Sequence, residues 1–108
     1  MIKATFNHSE LGIQSFVVEG HAESAEFGRD LVCAAVTSVT AGTVNAIEML
    51  ANIDPDVEVR ESGYLRFAIP TKANDEQMKT IQTLLKAMVI SLETIEHDNR
   101  KYIQIIHE

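Results

Sequence analysis

The sequence is short of the residues that staple small folds together. It has one cysteine, two prolines, five glycines and no tryptophan in 108 residues. A single cysteine excludes an internal disulfide, and with no second thiol there is no zinc knuckle. None is required, since one domain of this length buries about 65% of its unfolded surface. Basic residues are scarce too: nine Lys and Arg stand against sixteen Asp and Glu, a formal charge of −7. Phosphate contacts need a basic face, so this balance argues against direct nucleic-acid binding and permits a basic peptide or protein as partner. The longest apolar run, Leu31 to Val36, is six residues, against the ~20 that cross a bilayer. No membrane partner is expected. Met1 to Ala4 lead straight into an alternating pattern, without the charged start, apolar stretch and cleavage site of a secretory leader. The expectation is a cytoplasmic protein whose mature chain begins at or near Met1. What the sequence does contain, 45% hydrophobic and 23% charged residues, is the composition of a globular protein.

No linker, repeat or low-complexity tract interrupts the chain, so residues 1–108 are expected to form one domain. Ile2, Ala4 and Phe6 alternate with Lys3 and Thr5 as in a half-buried strand. Asn7 to Gly12 is rich in turn formers, and Ile13 to Glu19 reads as a second strand pairing with the first. Gly20 to Arg29 is polar, lacks a period and reads as a mobile loop. Asp30, a favoured N-cap, opens a helix expected to reach about Asn52, with Leu31, Val32, Val36, Val39, Ile47 and Leu50 as its apolar contacts. Almost no charge falls in this helix before Glu48, which suits a position central to the fold or to a subunit contact. Val57–Glu61 and Tyr64–Ile69 form a hairpin turning at Ser62 and Gly63. Asn74 with Gln77 makes a capping box for a second helix, in which Met78, Ile81, Leu85, Met88, Leu92 and Ile95 recur at spacings of three and four. Its wetter side carries Lys79, Gln82, Lys86 and Glu93. Tyr102 to Ile106 closes the chain as a strand. The order ββαββαβ implies an α+β fold, a mostly antiparallel sheet packed with two long helices.

Cys33 is the most informative residue. With Asp30 as N-cap it falls at the third helical position, where unpaired N–H groups and the helix dipole favour a thiolate and can hold an oxyanion. His21 lies twelve positions earlier and is suited to activate such a thiol and to protonate a leaving amine. The bland reading is equally concrete. A free cysteine behaves as a small hydrophobe, and Cys33 sits in apolar company from Leu31 to Val36. Spacing alone leaves both open.

Three segments carry a resemblance: Gly20-His21-Ala22, then Gly28-Arg29-Asp30-Leu31-Val32-Cys33-Ala34-Ala35-Val36, then Gly42-Thr43-Val44-Asn45-Ala46-Ile47. Together they resemble the bacterial ribosomal-processing cysteine protease family Prp, and the likeness extends over essentially the whole chain. The resemblance implies a cysteine endopeptidase with Cys33 as nucleophile and His21 as general base and acid. It implies removal of a short basic N-terminal extension from large-subunit ribosomal protein number twenty-seven, with cutting beside aromatic residues. It also implies a homodimer, and a loop between histidine and cysteine that substrate orders. Thr37 stands where family members often carry serine, which keeps the hydroxyl.

Asp30 has two roles to offer: orienting His21 in a Cys-His-Asp arrangement, or simply capping the helix, which the local N-cap preference favours. Gly20, Glu23, Glu26 and Thr37 are the candidate substrate contacts, the two glutamates being equally well explained as a solvated loop face. Neither a metal nor a cofactor is expected. His8 in its turn, with His97 and His107 beside the last strand, makes no ligand set and reads as surface. Gly12, Gly20 and Gly28 do not form a phosphate-binding loop. Met78 and Met88 read as core. Two rival readings exist, a non-enzymatic acidic dimer that binds a ribosomal or other basic protein, and a thiol redox sensor.

Overall fold

Ile2, Ala4 and Phe6 are buried while Lys3 faces water, and this alternation draws out strand β1, Ile2–Ser9. In the computed structural model, residues 1–20, 27–61 and 63–108 are described, with the backbone alone for 27–30. β1 is followed by β2 (Gly12–Glu19), α1 (Phe27–Ala51), β3 (Asp56–Arg60), β4 (Tyr64–Ala68), α2 (Asp75–Asp98) and β5 (Ile103–His107). This is the expected ββαββαβ order. The five strands form one sheet in the order β3-β4-β2-β1-β5. β5 lies parallel to β1, and every other neighbouring pair is antiparallel.

Register puts the large apolar residues on one face. Phe6 lies opposite Phe16, and Phe16 opposite Phe67. All three are fully buried, with ring centroids 5.7 Å apart for Phe6–Phe16 and 5.1 Å for Phe16–Phe67. Ile13 and Phe16, three apart, would point to opposite faces of a regular strand. A bulge restores them to one side: Asn7 pairs with Ser15 but His8 with Ile13, leaving Gln14 as the extra residue. Onto this face α2 lays Ile81, Leu85, Met88, Val89 and Leu92. α1 contributes Val32, Val36, Thr40, Val44, Ile47 and Ala51, a stripe at spacings of three and four. On the opposite face Arg66 donates to Asp56 and lies 3.6 Å from Glu58. The hydrogen bond to Asp56 and the two negative charges raise its pKa above the guanidinium's ordinary value.

Three polar devices set the helix positions. Gln77 N–H donates to Asn74 Oδ1 at 2.8 Å, and Asn74 N–H donates to Gln77 Oε1 at 3.0 Å, forming the expected capping box. The Gln77 amide nitrogen also donates to the Ala51 carbonyl, tying the start of α2 to the end of α1. α1 itself stops where Asn52 turns left-handed, with φ of 52°, a C-terminal role that asparagine tolerates. Gln82, expected on the wet side of α2, is half-buried and grips the sheet. Its Oε1 accepts from Ile13 N–H at 2.9 Å and its Nε2 donates to Ile13 O at 2.7 Å.

Several expectations need correction. α1 begins at Phe27, not Asp30, so Asp30 is its fourth residue and cannot be the N-cap. A capping preference is worth about 1 kcal/mol, and the intrahelical bonds of an added turn outweigh it. The predicted Gly20–Arg29 loop is correspondingly shorter: Phe27 to Arg29 are helical, and 21–26 lie outside the described residues. Leu31 and Leu50 are 56% and 67% exposed: Leu31 lies off the stripe that runs from Val32 to Ala51, and Leu50 falls in the last turn of α1. The Asn7–Gly12 break shrinks to a turn at Glu10 and Leu11, and His8 belongs to β1. By length and composition Leu31–Ala51 would suffice to cross a membrane, although no unbroken apolar run does. In this fold the apolar character serves the core stripe and one uncovered face.

Replacing Gln82 by alanine strands the buried-side polar groups of Ile13 at the bulge. We expect Gln82→Ala to lower unfolding free energy by about 1–3 kcal/mol, measured by urea denaturation. Exposed Lys79→Ala should stay within about 0.5 kcal/mol of wild type. Equal losses in the two variants would contradict the clamp.

Candidate active site

The core stripe of α1 determines where Cys33 points. Val32 and Val36 are buried, each 3% exposed. Cys33 is one residue, or about 100° of helix, beyond Val32, which places it at the margin of the stripe. It is accordingly half-buried, a free thiol packed partly against the core. It borders a cavity of about 420 Å3, within the range of a ligand pocket.

The cavity is a cleft between α1 and the β3–β4 side of the sheet. Cys33, Val36, Thr37, Thr40 and Ala41 form one wall, Ile2, Val18 and Leu65 the floor, and Val59, Arg60, Glu61, Gly63 and Tyr64 the opposite wall. Its surface is mainly apolar. Thr40 keeps its hydroxyl out of play by donating to the Val36 carbonyl at 2.8 Å. Arg60 borders the cleft at the hairpin, but its guanidinium is held on the sheet's other face, 4.4 Å over the Tyr64 ring and with its Nε donating to Glu58 at 2.7 Å. Val59 is 72% exposed, an apolar side chain presented to the cleft.

Gly20 completes the lining, and only glycine fits there. Its φ is +119°, and a Cβ would overlap the Met1 carbonyl oxygen. The chain is thus held against Met1 at the point from which it continues to His21.

Of the residues singled out from the sequence, the structure brings together Cys33, Gly20 and Thr37 around one cavity. Asp30 lies in α1 three residues before Cys33; its side chain, like His21, Glu23 and Glu26, lies outside the described residues. The earlier helix start changes the chemistry. Cys33 is the seventh residue of α1, beyond the four unpaired N–H groups of the first turn, and the dipole effect fades within that turn. An oxyanion beside this thiol therefore draws its donors from elsewhere than the Cys33 amide. The hairpin wall of Val59, Arg60, Glu61 and Tyr64 was not foreseen. It lies 26 to 31 residues from Cys33 in sequence and reaches the thiol only through the pairing of β4 with β2. Among the described residues, no three His, Cys, Asp or Glu side chains cluster to hold a metal ion.

An α+β domain with a half-exposed thiol on a peptide-sized cleft is a frame for a cysteine peptidase. The family model described as cysteine protease Prp matches residues 1–104, and the chain belongs to that family of cysteine proteases. It is 43% identical over 107 residues to the ribosomal processing cysteine protease Prp of Bacillus subtilis strain 168, covering 97% of this chain and 96% of that one. The fold superposes with a TM-score of 0.87, at 28% identity over the full length of both chains, on the essential ribosomal processing protease Prp of S. aureus in complex with a substrate peptide. With the same protease carrying a covalently linked product peptide the TM-score is 0.84 and the identity 31%, again over both full chains.

The cleft should be the route by which reagents reach the thiol. Ala41 is exposed and lines it, so Ala41→Phe is expected to slow iodoacetamide alkylation of Cys33 several-fold while leaving the melting temperature nearly unchanged. Alkylation at an unchanged rate would place the access route elsewhere.

Proposed function

We propose that this chain is a cytoplasmic cysteine endopeptidase that removes the basic N-terminal extension of large-subunit ribosomal protein number twenty-seven, with Cys33 as nucleophile and His21 as general base and acid. One observation supports the site above the others: Cys33 and Gly20, the residue covalently preceding His21, line the same cavity. The relatives' described activity, ribosomal processing, supports the substrate class.

The reaction follows from the two side chains. His21 takes the proton of Cys33, and the resulting thiolate attacks the scissile carbonyl carbon. The C–N bond of the tetrahedral intermediate then breaks as the imidazolium gives its proton to the departing amine. A thioester remains on Cys33. Water, deprotonated by His21, attacks the thioester carbon; the C–S bond breaks, the Cys33 sulfur takes the proton back from the imidazolium, and the acid product departs. With the cap position excluded, orientation of His21 becomes the better role for Asp30, which precedes Cys33 by one helical turn on the same side of α1. A net charge of −7 draws in a basic extension at long range, and Glu61 at the rim of the cleft supplies a nearby partner, a role we propose for Glu23 and Glu26 as well.

The uncovered side of α1 supports a homodimer. Leu31 and Met49 are 56% and 81% exposed, with exposed Ala34, Ser38, Gly42 and Asn45 between them. No charged residue occurs from Leu31 to Ile47. A surface this apolar and smooth suits a second copy of itself. A Cβ at Gly42 would meet nothing within 4 Å in the single chain. Gly42→Glu should therefore leave the fold intact and convert dimer to monomer in light scattering. A monomeric wild type, or a dimer unaffected by the substitution, would overturn this interface.

Cleavage of a peptide spanning the extension tests the activity. Cys33→Ala should abolish it, and His21→Ala should lower kcat/KM by about 10²–10⁴-fold, with a smaller loss in Asp30→Asn. Equal cleavage by wild type and Cys33→Ala would end the proposal.

A further inference from the structure

We propose that the cleft where the β1–β2 turn and the end of β5 meet α2 is a second binding site, for a small carboxylic acid with an apolar body. It encloses about 320 Å3, and among the described residues it shares no lining with the Cys33 cavity. Ile13, Val89 and Ile90 form its apolar wall. Ile90 is 65% exposed, an aliphatic side chain facing this cleft and solvent instead of the core. Lys86, His8 and His107 complete the lining, and no acid among the described residues joins them. In a chain with seven surplus negative charges, this lining sets one cation, Lys86, beside two imidazoles able to donate an N–H, and an apolar floor beside them lowers the effective dielectric.

The two histidines are arranged as a unit. His8 Nε2 and His107 Nδ1 are 2.9 Å apart. Their ring centroids are separated by 5.1 Å, close to that distance plus one ring radius at each end, so the rings meet nearly head-on. A single proton occupies the line between them, which leaves His8 Nδ1 and His107 Nε2 as the outward nitrogens. The unit is braced. Phe6 stacks on His107 with centroids 5.7 Å apart, and His8 N–H donates to Glu108 O at 2.8 Å. The bulge beside His8 and the Gln82 grip on Ile13 hold the neighbouring wall. Gly12 seals the corner, where a Cβ would overlap the Gln82 amide oxygen.

The same geometry disfavours a metal ion. Nitrogens that aim at each other do not converge on a third point, Lys86 repels a cation, and no carboxylate of the lining completes a ligand set. An anion with a hydrocarbon body satisfies both halves of the cleft: its carboxylate meets Lys86 and an imidazole N–H, and its chain covers Ile13, Val89 and Ile90.

Titration of the full chain with 4-phenylbutyrate, 4-phenylbutyramide or zinc chloride, followed by 1H–15N NMR, tests this. The acid should give saturable shifts confined to the neighbourhood of His8, Ile13, Val89, Ile90 and His107. The amide should bind about fivefold more weakly or worse. Lys86 is exposed, so Lys86→Gln should fold normally, weaken the acid by a similar factor and leave peptide cleavage unchanged. Absence of saturable shifts at this cleft, equal binding of acid and amide, or tighter binding of zinc than of the acid at these histidines would overturn the site. Each of those outcomes would leave the Cys33 reading standing.

Discussion

The burial of α1 against the sheet is the constraint on which the rest of the molecule depends. Val32, Val36, Val44 and Ile47 are all buried in the one core that also holds the phenylalanines of the sheet and the apolar stripe of α2, and each such side chain removed from water contributes roughly 1.5–3 kcal/mol. A helix satisfying four of these contacts has no rotational freedom left. Cys33, one step beyond Val32, is thereby placed at the edge of the core, partly packed and facing a cleft. The thiol's position is a consequence of the core, and a change at Val32 or Val36 would move it as surely as a change beside it.

The same rotation of α1 decides its other faces. Residues on the cleft side meet β3 and β4 across open space, because the helix covers the middle of the sheet and leaves its β3 edge bare. Residues facing away from the sheet are small and uncharged, and nothing in the single chain covers them. One helix thus carries the core stripe, the wall that bears Cys33 and the surface suited to a second copy. That triple duty explains why its sequence is apolar nearly all round and why its composition alone resembles a membrane span.

Much of this was legible in the sequence. Period-two alternation found β1 and β2, the capping box of Asn74 and Gln77 located the start of α2 within a residue, and the element order followed. What could not be read were features set by long-range pairing. The parallel seating of β5 beside β1 brings His107 to His8 across 99 residues, and no local pattern announces it. Gln82 looked like a solvated residue because its partner, Ile13, is chosen by the bulge. The start of α1 was misplaced for the opposite reason, since Asp30 is a strong local signal that tertiary helix extension overrode. For the candidate site, Cys33 was found from its place in the chain, and Gly20 and Thr37 through the family resemblance, whereas the Val59–Tyr64 wall is contributed by a hairpin distant in sequence. His21, Glu23 and Glu26 lie outside the described residues.

The central claim is that the Cys33 thiol becomes acylated within this cleft during peptide hydrolysis. Acid-quenching the wild-type protein during turnover of an activated ester of the extension peptide, followed by tryptic mass mapping, tests it most directly. The account predicts a thioester-linked acyl group on the fragment containing Cys33, accumulating to one per chain and sharply reduced in His21→Ala. Turnover without any acylated intermediate, or acylation mapped to another residue, would contradict it.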